Sequence, residues 1–332
     1  MSTPGVGAAP ARDAPASEDV PRTIHSTRSN ADLAFRILLY ACSAILLVII
    51  TAIAGYLFIR SWSALRYSGL HFITSELWQP TLAHPSYGIL GGLVGSLTIA
   101  VIALVLALPI SIATALMINE YSPLRIRGSL IALVDLLAAL PSLIYGLWGL
   151  EWLMPHITGT TVWLNQYASF IPILRAPDGV FGNSIFICGI VVAVMILPIV
   201  TSVSREVMSQ VPRAGCEAAL ALGGTRWGMV TDVILPFSRN GIVGGALLGL
   251  GRAMGETIAI LLILSPTNLI TGHLLGPGGA TIAEMIATYF TSAPPQEESA
   301  LALAGLTLFT TTLLVNLVAR GIVARNAPRE AL

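Results

Sequence analysis

Six runs of mostly apolar residues, at about 37–59, 93–118, 130–154, 181–203, 241–264 and 300–322, constrain this chain more than any other feature. Each is near or above the ~20 residues that a helix needs to cross a bilayer. No water reaches the backbone at bilayer depth, so a spanning segment must satisfy its own N–H and C=O groups, which a helix does. The expected fold class is an all-α polytopic membrane protein with six transmembrane helices and both termini on one side. Composition agrees: 55% hydrophobic against 10% charged residues and a mean hydropathy of +0.81 do not suit a soluble chain.

Arginine orients the spans, because positive charge is retained on the cytoplasmic side. With the N-terminus inside, that side collects Arg12, Arg22, Arg28, Arg36, Arg125, Arg127, Arg205, Arg213, Arg226, Arg239, Arg320, Arg325 and Arg329, and the outside receives only Arg60, Arg66 and Arg175. Both termini are therefore expected inside. Residues 1–32, rich in Ala, Pro, Ser, Thr and Asp, lack the apolar content to offset ordering entropy and read as a disordered cytoplasmic tail. The first transmembrane helix, within 33–60, reads as a retained anchor because no short apolar region with a small-residue cleavage site precedes it.

Several chemistries are excluded. All basic residues are arginine, so no Walker A motif, Schiff-base lysine or lysine general base exists here. The chain is thus not expected to be an enzyme, and any ATP hydrolysis belongs to a separate ATPase subunit. A net charge of zero offers no basic field for nucleic acid. Cys42, Cys188 and Cys216 form no CxxC pair, and His25, His71, His84, His156 and His273 lack ligand spacing. No metal site or cofactor is expected.

Charges inside the apolar runs point to function. Arg252 and Glu256 lie in the string Gly251-Arg252-Ala253-Met254-Gly255-Glu256-Thr257, within the fifth run. A charge at bilayer depth costs about 2.5 to 3.5 kcal/mol, so it is rarely kept without a partner or a task. The i, i+4 spacing predicts one helical face on which the two neutralise each other and where an arginine fork meets an anion. Gly245 and Gly249 extend that face as a small-residue stripe. A purely structural ion pair is the other reading. Asp135 pairs with an arginine or lies at the headgroups. Thr307, Thr310, Thr311 and Asn316 line a polar path or, for the hydroxyls, bond back to their own helix. Pro141 and Pro198 interrupt spans three and four.

Between spans four and five lies a patterned segment, about 204–240. It reads Glu217-Ala218-Ala219, three residues to Gly223, nine more to Val233, then Ile234-Leu235-Pro236. The alanines and leucines favour helix, Gly223-Gly224 breaks it, and Thr225 caps a second short helix that stops at Pro236. A helix–turn–helix knob fits a groove in another protein. By contrast, the segments 60–92, 155–180 and 265–299 are rich in Pro, Gly and aromatic residues, as structured loops facing solvent or a partner are.

This spacing resembles the EAA loop of binding-protein-dependent ABC importer permeases, with Val233 where isoleucine is usual. The strings Leu250-Gly251-Arg252-Ala253-Met254-Gly255-Glu256-Thr257, Leu140 to Leu150 and Ile196 to Thr201 are similar to phosphate-importer permeases of the PstC type, over roughly residues 35–325. The resemblance implies a type I ABC importer permease fold, a five-helix core preceded by one extra helix, with the core at 88–323. It implies a second permease subunit of the PstA type in a heterodimer, two ATPase subunits, an external phosphate-binding protein, and inorganic phosphate crossing the bacterial cytoplasmic membrane. Arg252 and Glu256 would then lie in the substrate path, and Glu217, Ala218, Ala219, Gly223, Leu235 and Pro236 would couple to the ATPase. Rival readings are a permease for sulfate or molybdate, a proton-coupled carrier using Glu256, and a membrane scaffold without transport.

Overall fold

Nearly every element is helical, as long apolar runs require. The computed structural model describes residues 30–80, 85–176, 179–265, 267–270 and 272–325. In chain order these form α1 (Asn30–Ser68), α2 (His71–Thr74), the antiparallel pair β1 (Trp78–Gln79) and β2 (Ser86–Tyr87), α3 (Leu90–Leu116), α4 (Leu124–Ala139), α5 (Ser142–Trp148) and α6 (Met154–Tyr167). There follow α7 (Ile185–Ser209), α8 (Arg213–Ala221), α9 (Arg226–Met229), α10 (Leu235–Met254), α11 (Ile258–Ile263), α12 (Ile282–Tyr289) and α13 (Pro295–Arg325). The tail expected over 1–32 lies outside the described residues, except that 30–32 already belong to α1.

Among the described residues five helical segments are long and apolar enough to cross a membrane, or six with one bent pair. They coincide with the six apolar runs. The described residues divide into a unit ending at Thr51 and one beginning at Ala52. In the first, residues 30–51 of α1 are all exposed, so its apolar surface is even all round, as lipid-facing helices are; Ser43 and Thr51 return their hydroxyls to the Leu39 and Leu47 carbonyls.

In the second unit the core is α3 against α7 and α7 against α10. Small residues of α3 spaced about a turn apart, Ser96, Ala100, Ala103, Ala107 and Ser111, are buried, which lets two backbones approach closely and gains dispersion contact where lipid offers no hydrophobic gain. On α10 a Cβ at Gly249 would meet Val200 Cγ2 at 2.8 Å; only glycine permits that approach. At the α12 end a smaller cluster holds Phe72, Trp78, Tyr87, Ile282 and Leu301. There Trp78 donates its indole N–H to Glu297 at 3.0 Å, and Arg60 pairs with Glu298 at 2.9 Å.

The third span is broken at Pro141, as expected. The helices on either side of Leu140-Pro141 meet at 90°, because proline has no N–H to continue the ladder and excludes helical backbone from the residue before it. Leu140 is extended, with ψ 135°. The Leu137 carbonyl takes the Tyr145 hydroxyl at 2.7 Å. Pro198, expected to interrupt span four, instead sits inside an unbroken α7.

Candidate functional site

The fifth run is not one helix, which changes the expected charged pair. α10 ends at Met254 and α11 starts at Ile258, with Gly255-Glu256-Thr257 between them. Glu256 leaves the helical face and turns its Oε1 to accept the Ala259 N–H at 3.2 Å. It satisfies one of the amides that every helix start leaves unpaired, and it is buried at 7% exposure. Arg252 stays in the last turn of α10, exposed, and forms no ion pair with Glu256. The buried stripe of α10 runs Gly245, Gly249 and Ala253, whereas Arg252 stands about 100° to one side of Ala253.

Arg252 faces a cavity of about 580 Å³. Its walls are Ile199 of α7, Gly244, Leu247, Leu248 and Gly251 of α10, and Asn316 and Arg320 of α13. The last turn of a helix favours a cation, since its unpaired carbonyls carry partial negative charge. The two broken spans pack together, α5 against α11. Fixed charge and irregular backbone at bilayer depth persist only where protein or a polar cavity receives them.

A second site lies at the opposite end of α10. α8 and α9 form the expected hairpin: Gly223 takes φ 84°, a left-handed conformation open to glycine at little cost. Gly224 N–H closes on the Ala219 carbonyl at 3.1 Å, and the Thr225 hydroxyl accepts the Gly228 N–H at 3.1 Å. Glu217 and Ala218 are exposed, Ala219 half-buried. Apolar side chains project from the tip, with Leu222 at 89% and Trp227 at 66% exposure. Beneath lies a cavity of about 280 Å³ that includes Glu120, Arg127, Arg213, Cys216 and Glu217. Its rim is braced by Arg127 donating to Asn119 Oδ1 at 2.7 Å and Asn119 Nδ2 donating to the Arg205 carbonyl at 2.8 Å. Burial, then the charges of Glu120 and Glu217, push the Cys216 thiol above its ordinary range.

The second helix of the hairpin does not stop at Pro236. A π-helical turn, Val230–Ile234, joins α9 to α10, and the chain is helical from Arg226 to Met254. The wider turn absorbs the hydrogen bond and the space that Pro236 would otherwise disrupt. Leu235 is half-buried in the joint and Pro236 exposed. The hairpin and Arg252 therefore stand at two ends of one rod.

Other sequence candidates separate. Among the described residues Asp135 forms no ion pair with an arginine; the Ser202 hydroxyl of α7 donates to it at 3.2 Å. Thr307 and Thr310 bond back to Leu303 and Leu306 carbonyls and are not part of the Arg252 cavity lining, whereas Asn316 is. Sequence reasoning treated Arg320 as a topology marker and missed it here. Its spacing of i+4 from Asn316 was the available signal.

The sequence pattern of the family described as binding-protein-dependent transport system inner membrane component matches residues 107–331. A Xylella fastidiosa (strain Temecula1) protein, phosphate transport system permease protein PstC, is 35% identical over 307 residues, covering 91% of this chain and 93% of its own. The Mycobacterium leprae protein of that name is 41% identical, covering 81% of this chain and 86% of its own. Among solved structures, a bacterial alginate ABC transporter chain is 19% identical with a TM-score of 0.60, covering 89% of this chain and 96% of its own. A MetNI methionine ABC transporter chain is 15% identical with a TM-score of 0.52, covering 73% and 96%. At such identities these two structures speak for the fold, that of ABC importer permeases.

Proposed function

The chain belongs to the family of binding-protein-dependent transport system inner membrane components, and from that premise we propose that it forms half of the pathway for inorganic phosphate in an ATP-driven importer. It is a multi-pass inner-membrane permease. Relatives named as phosphate transport permeases over most of their length support the substrate. The remainder of the assembly is a second permease of the PstA type, two ATPase subunits at the α8–α9 hairpin, and a phosphate-binding protein at the α12 end. The arginine bias supports placing the hairpin and both termini in the cytoplasm.

One observation carries the reading: Arg252, facing a cavity with no ion-pair partner among the described residues, ends the same helical rod that begins at the exposed hairpin. Closure of the ATPases around ATP pushes on Leu222 and Trp227. The rod moves as a unit, because an unbroken helix resists bending, and the Gly255 break lets its far end shift against α11. Arg252 offers the anion a planar fork of N–H donors. Glu256, tied to α11, fixes the other side of the break. A carrier in which Glu256 shuttles protons is disfavoured by that commitment.

The reading is tested by reconstituting the chain with its co-purifying partners in proteoliposomes. Phosphate with its binding protein should stimulate ATP hydrolysis and enter the vesicles, while sulfate and molybdate do neither. Stimulation by another oxyanion would reassign the substrate; uptake without any ATPase would overturn the class.

A further inference from the structure

A second guanidinium, Arg320, lines the cavity beside Arg252. Among the described residues Arg320, like Arg252, forms no ion pair, and both line the same 580 Å³ space. One turn before it on α13, Asn316 also lines the cavity, and its Oδ1 is shut off from solvent with no donor. A buried amide oxygen without a partner is costly to keep, because its desolvation is not offset by a hydrogen bond. Two exposed guanidinium groups and an unpaired amide face one space, an arrangement whose donors suit a visiting anion. The rest of the lining is aliphatic or glycine, so no carboxylate there supplies the counter-charge.

We propose that Arg320 and Asn316 form, with Arg252, a transient binding stop for a tetrahedral oxyanion, with Arg320 receiving the anion as it leaves Arg252 toward the hairpin end. This rests on the reading of Arg252 as a substrate-path residue. Two guanidinium forks present paired N–H donors to the tetrahedral oxygens of a phosphate. The cavity is several times the volume of the bare ion, so the anion keeps part of its water and binds weakly. Weak binding suits transit, since a path residue must also let go. Arg320 lies about 6 Å beyond Asn316 along α13, nearer the hairpin end. The phosphate of a lipid headgroup has the same chemistry and could fill the stop from the bilayer instead.

The test uses the full importer in proteoliposomes of pure phosphatidylcholine and in a second set containing phosphatidylglycerol, with inorganic phosphate as the probe. Arg320→Gln should lower the maximal phosphate uptake rate at least about tenfold in both lipids, with the half-saturating phosphate concentration, set by the binding protein, unchanged. Arg320→Lys should recover part of the rate, and Asn316→Ala should lose several-fold. Amounts of assembled complex in each vesicle preparation guard against misfolding. Wild-type rates in Arg320→Gln alongside loss in Arg252→Gln would overturn this inference and leave the phosphate reading standing. An Arg320→Gln defect confined to phosphatidylglycerol vesicles would assign the stop to lipid and overturn it equally. Normal uptake in Arg252→Gln as well would sink the substrate path itself.

Discussion

Arg252 and Glu256 show how far residue spacing carries an argument. Their i, i+4 interval reads as an ion pair only if the helix continues, and Gly255, which costs about 1 kcal/mol in a helix relative to alanine, sits between them. Glu256 gains more by accepting the Ala259 N–H than by remaining on the face. The charges were legible in the sequence, but the break was not, because an apolar run scores alike whether straight or broken. The charge-swapped double variant, Arg252→Glu with Glu256→Arg, should therefore not recover phosphate uptake: the two side chains do not touch, and arginine at 256 cannot accept an amide. Recovery toward wild type would restore the ion pair. Glu256→Ala should destabilise the purified complex by about 0.5 to 2 kcal/mol, the range for losing a helix-start acceptor, whereas Glu256→Gln keeps an oxygen there and should unfold near the wild-type temperature. Equal losses in both would show that the cap is not what Glu256 supplies.

At the scale of elements, the glycine turn was readable and the rod was not. Gly223-Gly224 followed by Thr225 signals a stop and a cap in any helical context, and φ 84° at Gly223 bears this out. Pro236 signals a stop just as strongly, yet the π-helical turn before it carries the helix through, a compensation that depends on packing around Val230 and Ile234, both buried. Proline at 141 breaks its span and proline at 198 does not, so the residue alone does not decide. Gly223→Val should abolish uptake while the protein reaches the membrane in normal amount. No side chain crowds Gly223, so the penalty is backbone strain of about 1 to 3 kcal/mol, enough to reshape the hairpin without unfolding six spans. Gly223→Asn, which tolerates left-handed backbone, should retain substantial uptake measured at equal membrane level. Normal uptake in the valine variant would remove the coupling role from this turn.

For the whole molecule, the six apolar runs announced the number of spans, and what remains is which way they run. The hairpin, Arg213 and Arg226 lie at one end of the rod, and the positive-inside bias predicts that this end faces the cytoplasm. A cysteine introduced at Ser169, which is exposed just beyond α6, should then react with a membrane-impermeant maleimide in intact cells. Cys216 should react only in inverted vesicles, both measured with Cys42, exposed on α1, replaced by serine. The pH dependence adds an independent check on the cavity beneath the hairpin. Maleimide takes the thiolate, and burial beside Glu120 and Glu217 raises the Cys216 thiol, so at neutral pH its thiolate fraction falls below that of a free thiol. Labelling in inverted vesicles should therefore be slow at pH 7 and accelerate as pH rises past the ordinary thiol range, with the midpoint moving down in Glu217→Gln as one of the two repelling carboxylates is removed. Reversed sidedness would invert the topology, and with it the assignment of the hairpin to ATPase docking. Correct sidedness with an unshifted midpoint would leave the topology intact and show that the cavity opens to water more than its packing implies.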